Sequence, residues 1–300
     1  MSTLITCTSS TRPSSPSTGD ILYETDTYQT IIYDGSAWKE FPSTSSPYDL
    51  DGTNTVSSRP IWHFDAAKIN GVDASGNPSN AASLTTAWKS LSLGEGAMKW
   101  RFAPQATSSY QPTWYSTGEN DHPYLDWDGG DSLLFETGAI QISGPFCWFQ
   151  VMKSDASQWT GMNGTSYGLF TRRANDILYY YSSTSSGYNS GQNTYNLDSL
   201  SNGTKMLLFE KSDTTNPSWL HVNGDNGQGN TGSGASAGRI TFTGFGTGLS
   251  GNRPNGKVYE MALWVGEGIN ATTSPLTATD KNSLIDYVET KYDLSGFVDF

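Results

Sequence analysis

The chain has 300 residues, with 17 Lys and Arg against 29 Asp and Glu, so its formal net charge is −12. That excludes a nucleic-acid partner, because neutralising phosphates takes clustered basic side chains and the single adjacent basic pair is Arg172-Arg173. Only 15% of residues are charged, whereas 32 are Gly, 40 Ser and 34 Thr; such a chain is poor in helix formers, and an all-β fold is expected.

Aromatic residues make up 13% of the chain, including 10 Trp, which supplies a large core and excludes disorder as a whole-chain description. No apolar run approaches the roughly 18 residues needed to cross a bilayer, and the first residues have neither the basic nor the apolar region of an export signal. Neither membrane insertion nor a cleaved signal is expected.

In chain order, Ser9 to Gly19 is a Ser/Thr/Pro stretch that reads as an extended arm. Asp20 to Glu24, Gln29 to Tyr33 and Ala37 to Phe41 then form a three-strand meander, with Asp34-Gly35 as a hairpin turn. Residues 1–41 are expected to be an attachment module and residues 42–60, rich in Ser, Pro, Thr and Gly, a linker.

The main domain is expected over 61–300. Strand patterns occur at Ile61 to Phe64, Tyr124 to Trp127, Leu133 to Glu136, Phe146 to Lys153, Gly168 to Arg172, Leu178 to Tyr181, Met206 to Lys211, Trp219 to Val222, Arg239 to Phe245 and Lys257 to Val265. That many strands without intervening helices predict an antiparallel sandwich. Thr277-Ala-Thr-Asp280 resembles a capping box, and Leu284, Ile285, Val288 and Tyr292 recur at helical spacing, which predicts a helix over 278–291.

Two resemblances follow from these segments. Thr11-Arg-Pro-Ser-Ser-Pro-Ser-Thr-Gly-Asp-Ile-Leu-Tyr-Glu-Thr-Asp-Thr27, followed by Asp34-Gly-Ser-Ala-Trp38, resembles a short module of bacteriophage structural proteins that precedes a larger domain. It implies attachment through Arg12, Pro13, Tyr23, Tyr33 and Trp38. Ile61-Trp-His-Phe-Asp-Ala66, Pro123-Tyr-Leu-Asp-Trp-Asp-Gly-Gly-Asp-Ser-Leu133 and Gly256-Lys-Val-Tyr-Glu-Met-Ala-Leu-Trp264, with the helix ending at Tyr292, resemble a concanavalin A-like, laminin-G-type jelly roll. Members of that superfamily often bind glycans or proteins.

No catalytic arrangement stands out. Glu210 and Glu260 sit alone in their strands, where a glycosidase of this fold would pair two carboxylates on one face. His63, His122 and His221 lie far apart with no ligand set for zinc, and Cys147, within Phe146-Cys-Trp-Phe149, reads as a buried inert thiol. Asp126, Asp128 and Asp131 offer oxygen ligands for a hard cation such as calcium, against a hairpin turn whose carboxylates cap backbone amides; Trp127 between them reads as core. Tyr179, Tyr180, Tyr181, Tyr188, Asn189 and Asn193 have the make-up of a glycan-contacting surface, against a plain polar loop.

The expectation is a non-enzymatic phage virion protein, a head decoration or fibre-type appendage at the virion surface. Its partners would be capsid or tail proteins and further copies of itself, a trimer above all. The alternatives are a tail-fibre lectin that binds host-surface glycans and a secreted glycan-binding protein.

Overall fold

The computed structural model describes residues 5–17, 20–24, 26, 29–33, 35–40, 48–91, 101–136, 140–142, 145–154, 159–160, 162–163, 171–173, 177–179, 195–196, 203–211, 218–224, 228–229, 240–242, 244–246, 255–266 and 274–300. It is an antiparallel all-β sandwich with one C-terminal helix and a separate small N-terminal sheet.

The N-terminal sheet contains β1 (Ile5–Cys7), β2 (Ile21–Glu24), β3 (Gln29–Tyr33) and β4 (Trp38–Glu40), in that order. β2, β3 and β4 form the meander expected from the turn chemistry, and Leu22 lies buried opposite Ile31. The arm departs from expectation. Ile5-Thr-Cys7, apolar and β-branched enough to extend a sheet, pairs with β2 in parallel as a fourth strand. Beyond it the arm is tied down by the Ser9 backbone N–H and hydroxyl, which donate to the Asp26 carboxylate at 2.9 and 2.7 Å.

Residues 42–60, expected to be a linker, also belong in part to the main domain. β5 (Tyr48–Asp49) and β6 (Thr55–Val56) form a small hairpin that buries Tyr48 and Val56 in the core. With Leu50, packed against the same cluster, they are apolar positions that the polar composition of the stretch hides.

Among the described residues the central sheet has nine strands. Its path runs Gln228–Gly229, Ser218–Val222, Lys205–Lys211, Phe146–Ser154, Asn255–Val265, Tyr124–Asp128, Thr113–Tyr115, Ala82–Ser83, and β7 (Trp62–Asp65) pairs with the far half of Asn255–Val265. One face carries Trp62, Phe64, Leu125, Trp127, Trp148, Met261 and Leu263 against Phe102, Leu133, Phe135 and Phe245 from shorter strands. The other carries Cys147, Phe149, Val151, Leu208, Ala262 and Trp264 against the helix α1 (Ala278–Tyr292).

The capping box forms as predicted: Thr277 Oγ1 accepts from the Asp280 N–H, and the Asp280 carboxylate accepts from the Thr277 N–H. Leu284, Ile285 and Val288 are buried on the sheet. Asp280 also accepts from the N–H and hydroxyl of Ser57 at 2.6 and 2.8 Å, joining the segment after β6 to the helix start.

Between Asp65 and Tyr124, where no strand was expected, the chain makes Ala82–Ser83, Trp88–Lys89, Arg101–Phe102 and Thr113–Tyr115. Segments of two or three residues are too short to display the two-residue period from which strands are read.

Candidate functional site

Two features of the backbone bring polar side chains to the helix-facing side of the sheet. β7 alternates Trp62 and Phe64 toward the sandwich interior, so His63 and Asp65 face the helix. In Asn255–Val265 the register against Phe146–Ser154 shifts where Val151 pairs with Glu260 and Met152 with Val258. The extra residue of this bulge lets Tyr259 and Glu260 both face the helix, while Val258 and Met261 face the opposite way.

Glu260 is fully buried and its carboxylate takes four donors. His63 Nε2 and the Tyr287 hydroxyl (2.7 Å) meet Oε1, and Lys291 Nζ (2.8 Å) and the Tyr292 hydroxyl (2.9 Å) meet Oε2. Lys291 Nζ also donates to Asp65 Oδ2 at 2.9 Å and to the Tyr287 hydroxyl at 2.8 Å. Asp65 Oδ1 accepts the Ala67 N–H at 2.8 Å, and the Tyr48 hydroxyl lies 2.8 Å from His63 Nδ1.

Burial alone would raise the pKa of Glu260, but the Lys291 ammonium and His63 outweigh it and hold the carboxyl well below its usual range. Burial works against the charge on Lys291 in the same way, and Asp65 and Glu260 overcome it, holding the ammonium well above its ordinary value. Tyr48, Tyr287 and Tyr292 are pushed up chiefly by burial and by the negative charge of Glu260, so they keep their protons.

A second cluster repeats these parts nearer the sheet edge. Glu210 accepts from His221 Nε2 at 2.9 Å, Lys281 Nζ at 2.7 Å and the Ser274 hydroxyl at 2.6 Å. Burial opposes its charge, but the hydrogen bonds from His221, Lys281 and Ser274 prevail and lower its pKa to about 2. Cys147, fully buried as expected, lies 3.1 Å from Ser274 Oγ, and burial and the Glu210 charge push its thiol up. Phe300 closes the cluster: its ring lies 4.6 Å from His221, Lys281 Nζ lies 4.9 Å from its centroid, and its N–H donates to Asn282 Oδ1 at 2.7 Å.

The sequence reading of Glu210, Glu260 and the histidines as solitary missed both clusters. His63 and Glu260 are 197 residues apart, and Asp65 and Lys291 are 226 apart. One signal was available, namely a carboxylate inside each of the apolar strands Lys205–Lys211 and Asn255–Val265, where a buried acid must have a partner.

Of the expected site residues, Asp126, Asp128 and Asp131 lie on Tyr124–Asp128 and the turn after it. Asp131 Oδ2 accepts the Asp128 N–H at 2.9 Å and Asp128 Oδ1 the Gly130 N–H at 2.7 Å, so these carboxylates cap their own backbone. Burial first, with the neighbouring Asp128 charge, raises Asp131 to about 6. Among the described residues no group of three or more His, Cys, Asp or Glu could hold a metal ion, and Trp127 is core.

In the N-terminal sheet the Tyr33 and Trp38 rings meet at 5.4 Å, and Arg12 and Pro13 are exposed. The side chain of Tyr23 and that of Tyr179, on Ile177–Tyr179, lie outside what is described, as do Tyr180, Tyr181, Tyr188, Asn189 and Asn193. An aromatic surface that the sequence reading did not select is Trp219, 42% exposed, its ring stacked on His221 at 6.3 Å and 17°.

No protein-family model and no curated protein matches the chain. Among solved structures it is similar, at TM-score 0.39 and 10% identity over 75% of this chain and 98% of the other, to domain 4 of AbnA, a GH43 extracellular arabinanase from Geobacillus stearothermophilus, in complex with arabinotriose. A likeness that distant carries no argument about what this chain binds.

Proposed function

We propose that the chain is a non-enzymatic structural protein of a bacteriophage virion, a head decoration or fibre-type appendage. The N-terminal sheet attaches it to capsid or tail proteins, and the sandwich is displayed at the particle surface. The observation that carries this reading is the division of labour. Residues 5–40 form a sheet of their own along the stretch that resembles a phage module. Among the described residues, Glu210, Glu260, His63 and His221, which could have served chemistry, are spent bolting a helix to a sheet. Glu210, held at about 2 and surrounded by donors, is neither a proton donor nor a useful base near neutral pH.

Mass spectrometry of purified particles from the culture that encodes the chain tests the proposal. It should be present in many copies if a decoration and in few if a fibre, and Trp38→Ala in the full chain should lower its occupancy. Absence from particles overturns the reading.

A second reading, glycan binding, is favoured by Trp219. Its ring is braced on one side by His221, and the charge of Glu210 nearby is balanced by Lys281, which suits an uncharged sugar ring that stacks on an aromatic face. Titration with neutral oligosaccharides, comparing the unaltered chain with Trp219→Ala, decides it.

A further inference from the structure

Lys291 is the described amine that is lodged between two buried carboxylates, with one oxygen of each within hydrogen-bond distance. We propose that Lys291 and Asp65 condense into an intramolecular amide, a covalent staple between α1 and β7, with Glu260 carrying the proton.

The geometry is that of a reactant pair. Nζ lies 2.9 Å from Asp65 Oδ2, which brings the carboxyl carbon close to the roughly 3–3.5 Å of a near-attack arrangement. The other carboxyl oxygen, Oδ1, accepts the Ala67 N–H at 2.8 Å. That donor is placed to stabilise the negative charge that gathers on Oδ1 when nitrogen attacks. Glu260 Oε2 stands 2.8 Å from the same amine, and the Tyr287 and Tyr292 hydroxyls hold it in position.

The bookkeeping closes without a co-reactant. The start is the ion pair, ammonium and carboxylate. One proton passes from Nζ to Glu260, the freed lone pair forms the bond from Nζ to Asp65 Cγ, and a tetrahedral carbon results. A second proton leaves Nζ, the Cγ–Oδ2 bond breaks, and Oδ2 departs as water with both protons, one returned by Glu260. Nothing is oxidised or reduced, and Glu260 ends as it began.

Two effects favour the product. The amide replaces two buried charges, whose desolvation works against the ion pair. Holding amine and carboxyl together is worth an effective concentration of roughly 10⁵–10⁸ M, enough to outweigh hydrolysis by bulk water. Because the resting amine is held protonated, the first proton transfer is uphill, and the bond forms slowly after folding. The Glu210 cluster lacks this chemistry: Lys281 has a single carboxylate to face among the described residues, and no second acid stands by to carry the proton.

Intact-mass spectrometry of the purified full chain tests the inference. Once the change from Lys to Arg is allowed for, the wild-type chain should be lighter than Lys291→Arg by one water molecule, and a digest should yield a branched peptide joining Asp65 to Lys291. Asp65→Asn should lose ammonia in place of water, and Glu260→Gln should stay uncondensed. An unaltered wild-type mass after prolonged incubation overturns the proposal, as does a branch at any other pair. The wild-type measurement decides even where a variant fails to fold, and it does not depend on the virion reading.

Discussion

The two clusters under α1 share a plan, a glutamate on the sheet, a histidine on the neighbouring strand and a lysine on the helix, yet they differ in what surrounds the glutamate. Glu260 sits on a bulge in the middle of the sheet with three tyrosines and a second carboxylate around it. Glu210 sits near the edge with a hydroxyl, a thiol and the closing ring of Phe300. The same three residue types therefore make a locked, doubly acidic knot in one place and a balanced ion pair in the other. Both strands are paired on both sides, so the difference lies in what the neighbours carry: β7 brings His63 and a second carboxylate, Asp65, to Glu260, whereas Phe146–Ser154 brings the Cys147 thiol to Glu210.

Removing each glutamate tests that contrast most strongly. Glu260→Ala leaves Lys291, His63, Tyr287 and Tyr292 without their common acceptor and should cost about 3–5 kcal/mol. Glu210→Ala should cost less, about 1–3 kcal/mol, because three donors lose their acceptor, His221, Lys281 and Ser274, against four around Glu260. Guanidinium unfolding followed by Trp fluorescence reads both. Equal costs would show that the extra partners around Glu260 do not matter.

Acid tests the second cluster next. Glu210 has its folded pKa lowered from 4.5 to about 2, so its contribution is fully present above the unfolded value and is lost as pH falls toward 2. The change is about 3 kcal/mol at most. Glu260, held lower still, loses stability over the same window and goes on losing it at lower pH, where Glu210 has already protonated. The melting temperature of Glu210→Gln should therefore fall less steeply between pH 5 and 2 than that of the wild-type chain. Parallel slopes would mean that Glu210 titrates as it does in the unfolded chain.

The tail gives a smaller effect. Gly224 has φ +99, and a Cβ there would lie 2.0 Å from the Val298 carbonyl oxygen, in a region of φ that side chains rarely adopt. Val298 N–H donates to the Asn223 carbonyl at 3.1 Å, and Phe300 follows onto His221. Gly224→Ala should displace the tail and cost about 2 kcal/mol, with faster proteolysis after Leu294. Unchanged cleavage would mean the tail does not brace the second cluster.

Much of the scaffold was legible because its cues are local. Thr277 and Asp280 announce the helix three residues apart, and Trp62-His-Phe-Asp65 shows the alternation of a strand with a different partner on each face. The clusters were not legible, since Glu260 meets Lys291 only after β7, the bulge and the helix have all been placed. The bulge itself has no signature in Val258-Tyr-Glu-Met261; it appears only as two successive residues facing one way. Likewise Tyr48, Leu50 and Val56 vanish into a Ser- and Pro-rich stretch because three scattered apolar residues do not make a sustained period.

Trp219 offers the smallest change in stability and the sharpest separation of structure from function. It shares a face with Glu210, its register partner, so it belongs geometrically to the second cluster. It is nonetheless 42% exposed, and its outer ring surface packs no core. A residue of that kind contributes little to folding, and Trp219→Ala should shift unfolding by no more than about 0.5 kcal/mol, leaving Glu210, His221 and Lys281 in place. Binding of a neutral oligosaccharide displayed in many copies should fall at least about tenfold, because each lost stacking contact is multiplied across linked sites. Trp219→Phe, which keeps a flat ring, should recover part of it. A large loss of stability on Trp219→Ala would make the ring a structural member of the cluster, and glycan binding untouched by the substitution would place the sugar on another surface.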